Sequence, residues 1–168
     1  MLLQRDLPLP PASVPDGVGV RPQEIADVTE LGALYWDSYP KGVAAVDLED
    51  AIEEMEGVFE GEYGSPWKPP PWSPSDRDGQ LIGCIQTVTN APWEGTPKGA
   101  FVIELFVHPE HRRHGLGRAL LLSAAAACEQ AGWTTLALNA QDATSAEAIH
   151  LYRNLGFVEV EQAPAAQG

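Results

Sequence analysis

The stretch that decides the fold of this chain runs from Glu104 to Arg118 and reads Glu-Leu-Phe-Val-His-Pro-Glu-His-Arg-Arg-His-Gly-Leu-Gly-Arg. It predicts a strand that ends at Val107, then a basic turn, then a helix that opens at Gly115 and Gly117. The first N–H groups of a helix have no intrahelical acceptor, and the helix dipole favours negative charge beside them. Glycine also lets an anion approach the backbone, because it has no Cβ. The stretch therefore predicts an anion site, with a pyrophosphate as the candidate ligand.

Two common phosphate-binding motifs do not account for this turn. A dinucleotide-binding turn needs a third glycine within a parallel βαβ unit, and a Walker loop ends in Gly-Lys-Ser or Gly-Lys-Thr. The turn matches neither pattern. Its basic side chains are nevertheless concentrated in an otherwise acidic chain, which supports an anion as the ligand. These side chains are Arg112, Arg113, His114 and Arg118.

Periodic patterns on both sides of the turn predict a single α/β domain over residues 18–161, an α/β sandwich with a mixed sheet. The predicted elements are strands at about 18–21, 81–89, 100–107, 134–138 and 157–160, and helices at about 23–36, 47–60, 118–131 and 144–155. Residues 1–17 are rich in proline and lack periodicity, so they are predicted to form a flexible arm. Residues 162–168 are predicted to be a loose tail.

Composition narrows the classes of function. The chain has 168 residues and a net charge of −14 at pH 7. Phosphate backbones repel such a charge, so nucleic acid is not an expected partner. A cationic small molecule or a basic peptide is the expected partner, although a high charge can also serve solubility alone. We expect no membrane span, no signal peptide and a cytoplasmic protein. The two cysteines lack metal-type spacing, so no metal is expected.

Two motifs within residues 100–158 are more specific than the turn alone. The first is Val-x-Pro followed by Arg-x-x-Gly-x-Gly, and the second is Ala-x-x-Leu-Tyr-x-x-x-Gly-Phe. Their residues are Val107, Pro109, Arg112, Gly115 and Gly117, then Ala148, Leu151, Tyr152, Gly156 and Phe157. In this order and spacing they resemble the GNAT superfamily of N-acetyltransferases. The resemblance implies a mostly antiparallel sheet flanked by about four helices, with the C-terminal strand shortened in this chain.

The resemblance also implies a reaction and its cosubstrate. An acetyl group would pass from acetyl-CoA to a primary amine by direct attack in a ternary complex. Coenzyme A would lie where the strand ending at Val107 splays from the strand ending near Leu138. Tyr152 would protonate the departing thiolate as general acid. The residues that would bind the cosubstrate are Phe106, Val107, Arg112, Arg113, His114, Gly115, Leu116, Gly117, Arg118, Asn139 and Ser145.

The general base is less defined. Glu104 is the only acid on the strand that leads to the motif. Strict alternation along that strand places Phe101, Ile103 and Leu105 on one face and Glu104 on the other. If the amine approaches the odd-numbered face, Glu104 reaches it only through a bulge. Water relayed to a more distant carboxylate, or an amine that arrives neutral, are the alternatives.

The chain departs from the family at its C-terminal end. Ser145 stands where many members have asparagine, and Asn139 is the residue that could replace that contact. The family usually ends in a hairpin, but only residues 157–160 remain here. An unpaired sheet edge tends to be covered, so a homodimer or the proline-rich arm is expected to cover it.

Other functions stay open at this stage. An inactive acyl-CoA-binding sensor or scaffold would keep the cosubstrate site without the base. A phosphate-binding module would leave the second motif unexplained. The acceptor amine and the length of the acyl chain are not decided. The acidic helix at 47–60 is either a solvated face or the lip of a site for a cation, and Trp67, Trp72 and Trp93 either pack their loops or line that site.

Overall fold

The computed structural model describes residues 1–66, 72–141 and 144–162. The strands are β1 Leu2–Asp6, β2 Gly19–Pro22, β3 Ser65–Pro66, β4 Trp72–Ser75, β5 Gly83–Thr89, β6 Ala100–Val107, β7 Thr135–Asn139 and β8 Val158–Glu159. The α-helices are α1 Val28–Ser38, α2 Leu48–Glu60, α3 Leu116–Gln130 and α4 Ala146–Asn154, with short 3₁₀ turns at Ile25–Asp27 and Pro109–His111. Asp47 caps α2 by accepting a hydrogen bond from the Asp50 N–H, as its side chain and position predict.

The strands form one sheet in the order β2-β4-β5-β6-β7-β1-β8, with β3 paired to β5 beside β4. Only β6 and β7 are parallel among these pairs. Helices α3 and α4 cover one face of the sheet, and α1 and α2 cover the other. The predicted mixed, mostly antiparallel sheet with four flanking helices is confirmed.

The predicted flexible arm is wrong for its first residues, because Leu2–Asp6 form β1 inside the sheet. This strand pairs antiparallel with β7 over its whole length and with β8 at Leu3 and Gln4. Leu2 packs into the core on one face of the sheet and Leu3 into the core on the other. A strand that is buried on both faces shows no apolar–polar alternation, which is why the pattern gave no signal.

Strand β1 also separates β7 from the edge of the sheet. It fills the position between β7 and β8 and pairs with both. The cover expected for the edge beyond residues 157–160, by a homodimer or by the proline-rich arm, stays a prediction. The edge strand at this end of the sheet is β8, which has two residues and is too short to be a strong template for pairing.

A β-bulge in β6 decides which side chains reach the site. Gln86 of β5 lies opposite Glu104, whereas the next residue, Thr87, lies opposite Val102. Ile103 is therefore the extra residue of β6, and it has no partner on β5. A bulge of this kind interrupts the two-residue alternation of side chains.

The two faces of β6 follow from this bulge. Phe101, Ile103 and Phe106 lie on the face covered by α1 and α2, and Val102 and Leu105 pack towards α3. Glu104 lies on the α1–α2 face as well, since it contacts α1 through hydrogen bonds. The predicted strict alternation is thus wrong beyond Ile103, and the bulge that the base hypothesis required is present.

The pairing of β6 with β7 stops early. Its register runs from Ala100 opposite Leu136 to Val102 opposite Leu138. The five remaining residues of β6 continue without a partner on β7. The two parallel strands therefore splay apart, and the opening leads towards the N-terminus of α3.

The remaining details of the fold concern the cap of α4, membrane-spanning helices and Trp67. The cap of α4 is Ser145, whose Oγ accepts a hydrogen bond from the Ala148 N–H, and not Thr144, whose hydroxyl accepts from the Gln141 N–H. In the described part of the chain no helix has the length and apolar character needed to cross a bilayer. Trp67 lies outside the described residues.

Candidate active site

The turn between β6 and α3 presents backbone donors to solvent. Gly115 caps α3 with a left-handed backbone at φ +80°, and Arg113 is also left-handed at φ +65°. Residues 112–115 and 118 are exposed. The intrahelical bonds of α3 start with the Ala119 N–H, which donates to the Gly115 carbonyl oxygen. The N–H groups just before Ala119 have no intrahelical acceptor, so they can bind an anion.

The two glycines of this turn serve different purposes. Gly115 is required by its positive φ, which side chains other than glycine adopt only with strain. Gly117 has an ordinary helical backbone, and a Cβ built on it would meet only the Leu151 side chain at 3.8 Å. Neither conformation nor packing requires glycine at 117. Its lack of a side chain keeps the approach to the helix N-terminus open.

The guanidinium group of Arg112 stabilises the turn through hydrogen bonds to two backbone carbonyl oxygens. Its Nε donates to the Val107 carbonyl oxygen at 3.0 Å, and another of its nitrogens donates to the Ser38 carbonyl oxygen. The side chain thus joins the end of β6 to the end of α1. We assign Arg112, although it is exposed, to the shape of the turn, and Arg113, His114 and Arg118 are exposed around it as well.

The backbone groups that face the opening belong to odd-numbered residues of β6. The His108 N–H donates to the Ile82 carbonyl oxygen, so His108 points its backbone groups towards β5. In an antiparallel pair these directions alternate, and Phe106 therefore also faces β5. Leu105 and Val107 face the open side, from which Arg112 reaches Val107. The backbone groups of Phe106, which were predicted to contact the cosubstrate, point towards β5, whereas those of Leu105 and Val107 face the opening.

Glu104 lies beneath α1, where two tyrosines approach its two oxygens. The Tyr39 hydroxyl donates to Oε2 at 3.2 Å, and the Tyr35 hydroxyl lies 3.4 Å from Oε1. Tyr35 has one proton to share, because the Ala44 carbonyl oxygen is also at 3.4 Å from its hydroxyl. Tyr39 is therefore the firmer donor. Both tyrosine rings pack on Phe106.

Burial raises the pKa of Glu104 to about 7. The hydrogen bonds from Tyr39 and Tyr35 act in the opposite direction, because they stabilise the carboxylate, and the nearby charge of Glu54 raises the pKa further. A carboxyl group with this pKa exchanges protons near neutral pH, which suits a general base.

Tyr152 lies on α4 with its side chain buried in the core under α3 and α4, beside the ring of Phe157. Burial raises its pKa to about 12, and the charge of Glu104 adds to this effect. Its hydroxyl is therefore protonated throughout the neutral range.

A cavity of about 250 Å³ opens beside Glu104, between α2, β6 and the end of β7. Two carboxylates, Glu54 and Glu104, belong to its wall, and no lysine or arginine does among the described residues that line it. The remaining polar and aromatic lining residues are Tyr63, Trp93, Phe101, Asn139 and Gln141. The acidic lip considered for α2 thus contributes one residue, Glu54, to the site.

The last two predicted cosubstrate residues are engaged elsewhere. The Asn139 amide oxygen accepts a hydrogen bond from the Met1 nitrogen at 3.3 Å, although its side chain still lines the cavity. Ser145 uses its hydroxyl to cap α4. In the described ranges, no cluster of three or more potential ligands that could hold a metal ion is found.

The sequence patterns missed several residues of the candidate site, two that line the cavity and two that contact Glu104. Tyr35 lies in the helix predicted at about 23–36 but was given no role in the site, and Tyr39 lies beyond the predicted end of that helix. Tyr63 stands in an aperiodic segment, and Glu54 is one of many acids on α2. A spacing of four residues between Tyr35 and Tyr39 was the one available signal, because it places both hydroxyls on one side of α1.

Comparison with known proteins agrees with this geometry. Residues 28–157 match the acetyltransferase (GNAT) family. A mycothiol acetyltransferase of Thermobispora bispora is 32% identical over 157 residues, which are 89% of this chain and 50% of that protein. A phosphinothricin N-acetyltransferase of Alcaligenes faecalis is 30% identical over 91 residues, 53% of this chain and 45% of that protein. The chain spans about half the length of these curated relatives.

Solved structures share the fold at lower identity. A GCN5-related N-acetyltransferase from Sphaerobacter thermophilus superimposes with a TM-score of 0.67 at 16% identity, over 95% of this chain and 48% of that one. A PaiA N-acetyltransferase from Thermoplasma acidophilum in complex with coenzyme A gives 0.57 at 18% identity, over 82% and 87%. The family match covers both motifs, the splayed strands and the turn at α3. The chain therefore belongs to the acetyltransferase (GNAT) family.

Proposed function

We propose that this protein transfers an acetyl group from acetyl-CoA to a primary amine. The observation that carries the proposal is the bulge at Ile103. It places the carboxylate of Glu104 in the wall of the cavity, on the same strand whose free backbone edge leads to the donors of α3. A proton acceptor, an anion site and an open strand edge then lie along one path.

The residues present fit the cosubstrate. A pyrophosphate requires several backbone donors and an unobstructed approach, which the N-terminus of α3 and Gly117 offer. A pantetheine arm requires a free strand edge, which Leu105 and the Val107 N–H provide beyond the last pair with β7. When bound, acetyl-CoA supplies the acyl group activated as a thioester.

Glu104 is proposed to act as the general base. Its carboxylate accepts a proton from the ammonium group of the acceptor, which leaves a nitrogen lone pair free to form the new C–N bond. The hydroxyls of Tyr39 and Tyr35 hold the carboxylate in place while it does so. Solvent then takes the second proton that the amide nitrogen releases.

Tyr152 is proposed to act as the general acid. Its hydroxyl donates a proton to the sulfur when the C–S bond breaks, so that the thiol leaves in its neutral form. The raised pKa keeps this proton in place until the sulfur becomes basic. The Leu105 and Val107 backbone groups would hold the thioester in line between the two side chains.

The test of the cosubstrate site is calorimetric titration with acetyl-CoA, with ATP as the comparison ligand. We expect acetyl-CoA to bind and Gly117→Val to raise its Kd by about tenfold or more, or about 1.4 kcal/mol, since the new side chain obstructs the helix N-terminus. Ala126→Val, on the exposed face of α3, is the matched control and is expected to bind normally. Well-folded protein without affinity for acetyl-CoA at millimolar concentration would overturn the proposal.

The tyrosine pair makes a second prediction. Removing a hydrogen bond to a carboxylate raises its pKa, so Tyr39→Phe is expected to move the acidic limb of the kcat/KM profile upwards, by about half to one pH unit. Tyr35→Phe is the matched comparison, and its shift is expected to be smaller because Tyr35 shares its proton with Ala44. Equal profiles for both variants and the wild type would show that neither hydroxyl acts on Glu104.

A further inference from the structure

The charge of the cavity is not balanced by the protein. Glu54 and Glu104 both contribute to its wall, and the described lining residues include no basic side chain. In the described part of the chain, Glu54 also has no ion pair. Two carboxylates that share a partly enclosed space without a counter-ion favour a positively charged occupant. The proposed reaction requires only Glu104 as the base, so it assigns no role to Glu54.

Glu54 is held in a defined place. The Tyr63 hydroxyl donates to its Oε2 at 2.5 Å. A carboxylate has acceptor positions beyond this one, so Glu54 can still take a hydrogen bond from a ligand. Its side chain is partly buried on α2. It is therefore better ordered and less hydrated than the acids on the exposed face of the same helix.

Aromatic rings extend the same wall. The rings of Tyr63 and Trp93 lie parallel within 17°, with their centroids 6.0 Å apart, and Trp93 also packs on Phe101. Trp93 is 46% exposed although it is a large apolar side chain. The face of an aromatic ring attracts a cation, most strongly when the ring is an indole. A carboxylate beside such rings is a typical environment for an ammonium group.

We propose that this cavity contains a subsite for a second cationic group of the acceptor, formed by Glu54, Tyr63 and Trp93. The favoured substrate is then an amine with at least two positive charges. One amino group is deprotonated at Glu104 and acetylated, and the other stays protonated beside Glu54. The inference rests on the proposed function and adds the class of acceptor to it.

The subsite explains a preference that the catalytic residues alone do not produce. Glu104 and Tyr152 act on any primary amine that reaches them. A monoamine of equal length leaves Glu54 without a cationic partner, whereas a diamine forms a charge-assisted hydrogen bond there, which is worth more than a neutral one. The acidic outer surface of α2, next to Glu54 and Tyr63, also attracts multiply charged amines at long range.

The experiment compares 1,4-diaminobutane with butylamine in wild-type protein and in two variants. Glu54→Gln removes the charge of the subsite, and Glu49→Gln removes an equal charge from an exposed position on α2 outside the cavity. We expect the wild type to favour the diamine by about tenfold or more in kcat/KM. Glu54→Gln is expected to reduce this ratio to near one through the KM of the diamine, and Glu49→Gln to leave it unchanged.

Binding of the diamine, measured by calorimetry with coenzyme A present, separates the two proposals. Diamine binding that Glu54→Gln weakens supports the subsite even if no amine is acetylated, in which case the proposed function alone fails. An equal effect of Glu54→Gln on diamine and butylamine, or no effect on either, would overturn the subsite. A wild type that turns over both amines equally would overturn it as well.

Discussion

Replacing Glu104 by glutamine is expected to lower kcat/KM about 10²- to 10⁴-fold, the usual contribution of a positioned general base. Glutamine keeps the size of the side chain, and its amide oxygen can still accept a hydrogen bond from Tyr39, but it cannot take a proton from the acceptor. The affinity for acetyl-CoA, measured by calorimetry, is expected to stay within a factor of two, since the predicted contacts of the cosubstrate come from Leu105, Val107 and the turn at α3.

The pH profile provides the sharper result. In the wild type, kcat/KM is expected to rise through a limb near pH 7 as Glu104 loses its proton. The charged and titratable groups that influence Glu104 are Tyr35 from α1, Tyr39 directly after α1 and Glu54 from α2. Both hydroxyls stay protonated near pH 7, because burial raises their pKa values. Glu104→Gln is expected to remove this limb. A variant that keeps both the limb and most of the activity would show that another base acts.

Stability supplies a control for the same variant. The pKa of Glu104 is about 7 in the folded protein, against 4.5 ordinarily. A raised pKa means that the folded state binds the proton more tightly than the unfolded state, so stability falls as pH rises from about 4.5 to 7. Above pH 7, Glu104→Gln removes a desolvated charge. We expect its Tm to lie a few degrees above that of the wild type at pH 8 and near it at pH 4, which excludes misfolding as the cause of lost activity.

Replacing Tyr152 by phenylalanine is expected to lower kcat about 10²-fold, while the Kd of acetyl-CoA changes little. The variant loses the proton for the departing sulfur but keeps the ring that packs beside Phe157 in the core. Initial rates of thiol release at saturating acetyl-CoA measure the change in kcat directly. The pH profile on the acidic side is expected to remain, since Glu104 is unaltered.

A structural role for Tyr152 predicts a different outcome. If the side chain only fills the core, phenylalanine fills it nearly as well, and kcat would stay within about twofold of the wild type. Leu155→Ala is the comparison for packing, because Leu155 belongs to the same core without facing the reaction. We expect Leu155→Ala to lower the Tm and to leave kcat largely unchanged.

The backbone geometry of the turn between β6 and α3 was predictable from the sequence alone, because it is local. The strand, Gly115, Gly117 and the start of α3 lie within fifteen residues, and neighbours in the chain are enough to aim the N–H groups outwards. The GNAT motifs extend this by about 40 residues and bring in Tyr152. These inferences needed only residue type and spacing, and the family match bears out the fold that they imply.

Tertiary structure decided which carboxylates and rings share the cavity. The bulge at Ile103 depends on the pairing of β6 with β5. Strand alternation alone therefore assigned Glu104 to the face opposite Ile103, whereas both side chains lie on the same face. Tyr35 is 69 residues from Glu104 in the chain, and only the packing of α1 on the sheet brings them together. The role of β1 was hidden for a similar reason, since a strand buried on both faces has no periodicity to show. Local sequence determines the backbone at a turn, whereas the charge, burial and contacts of a side chain depend on residues that are distant in the chain.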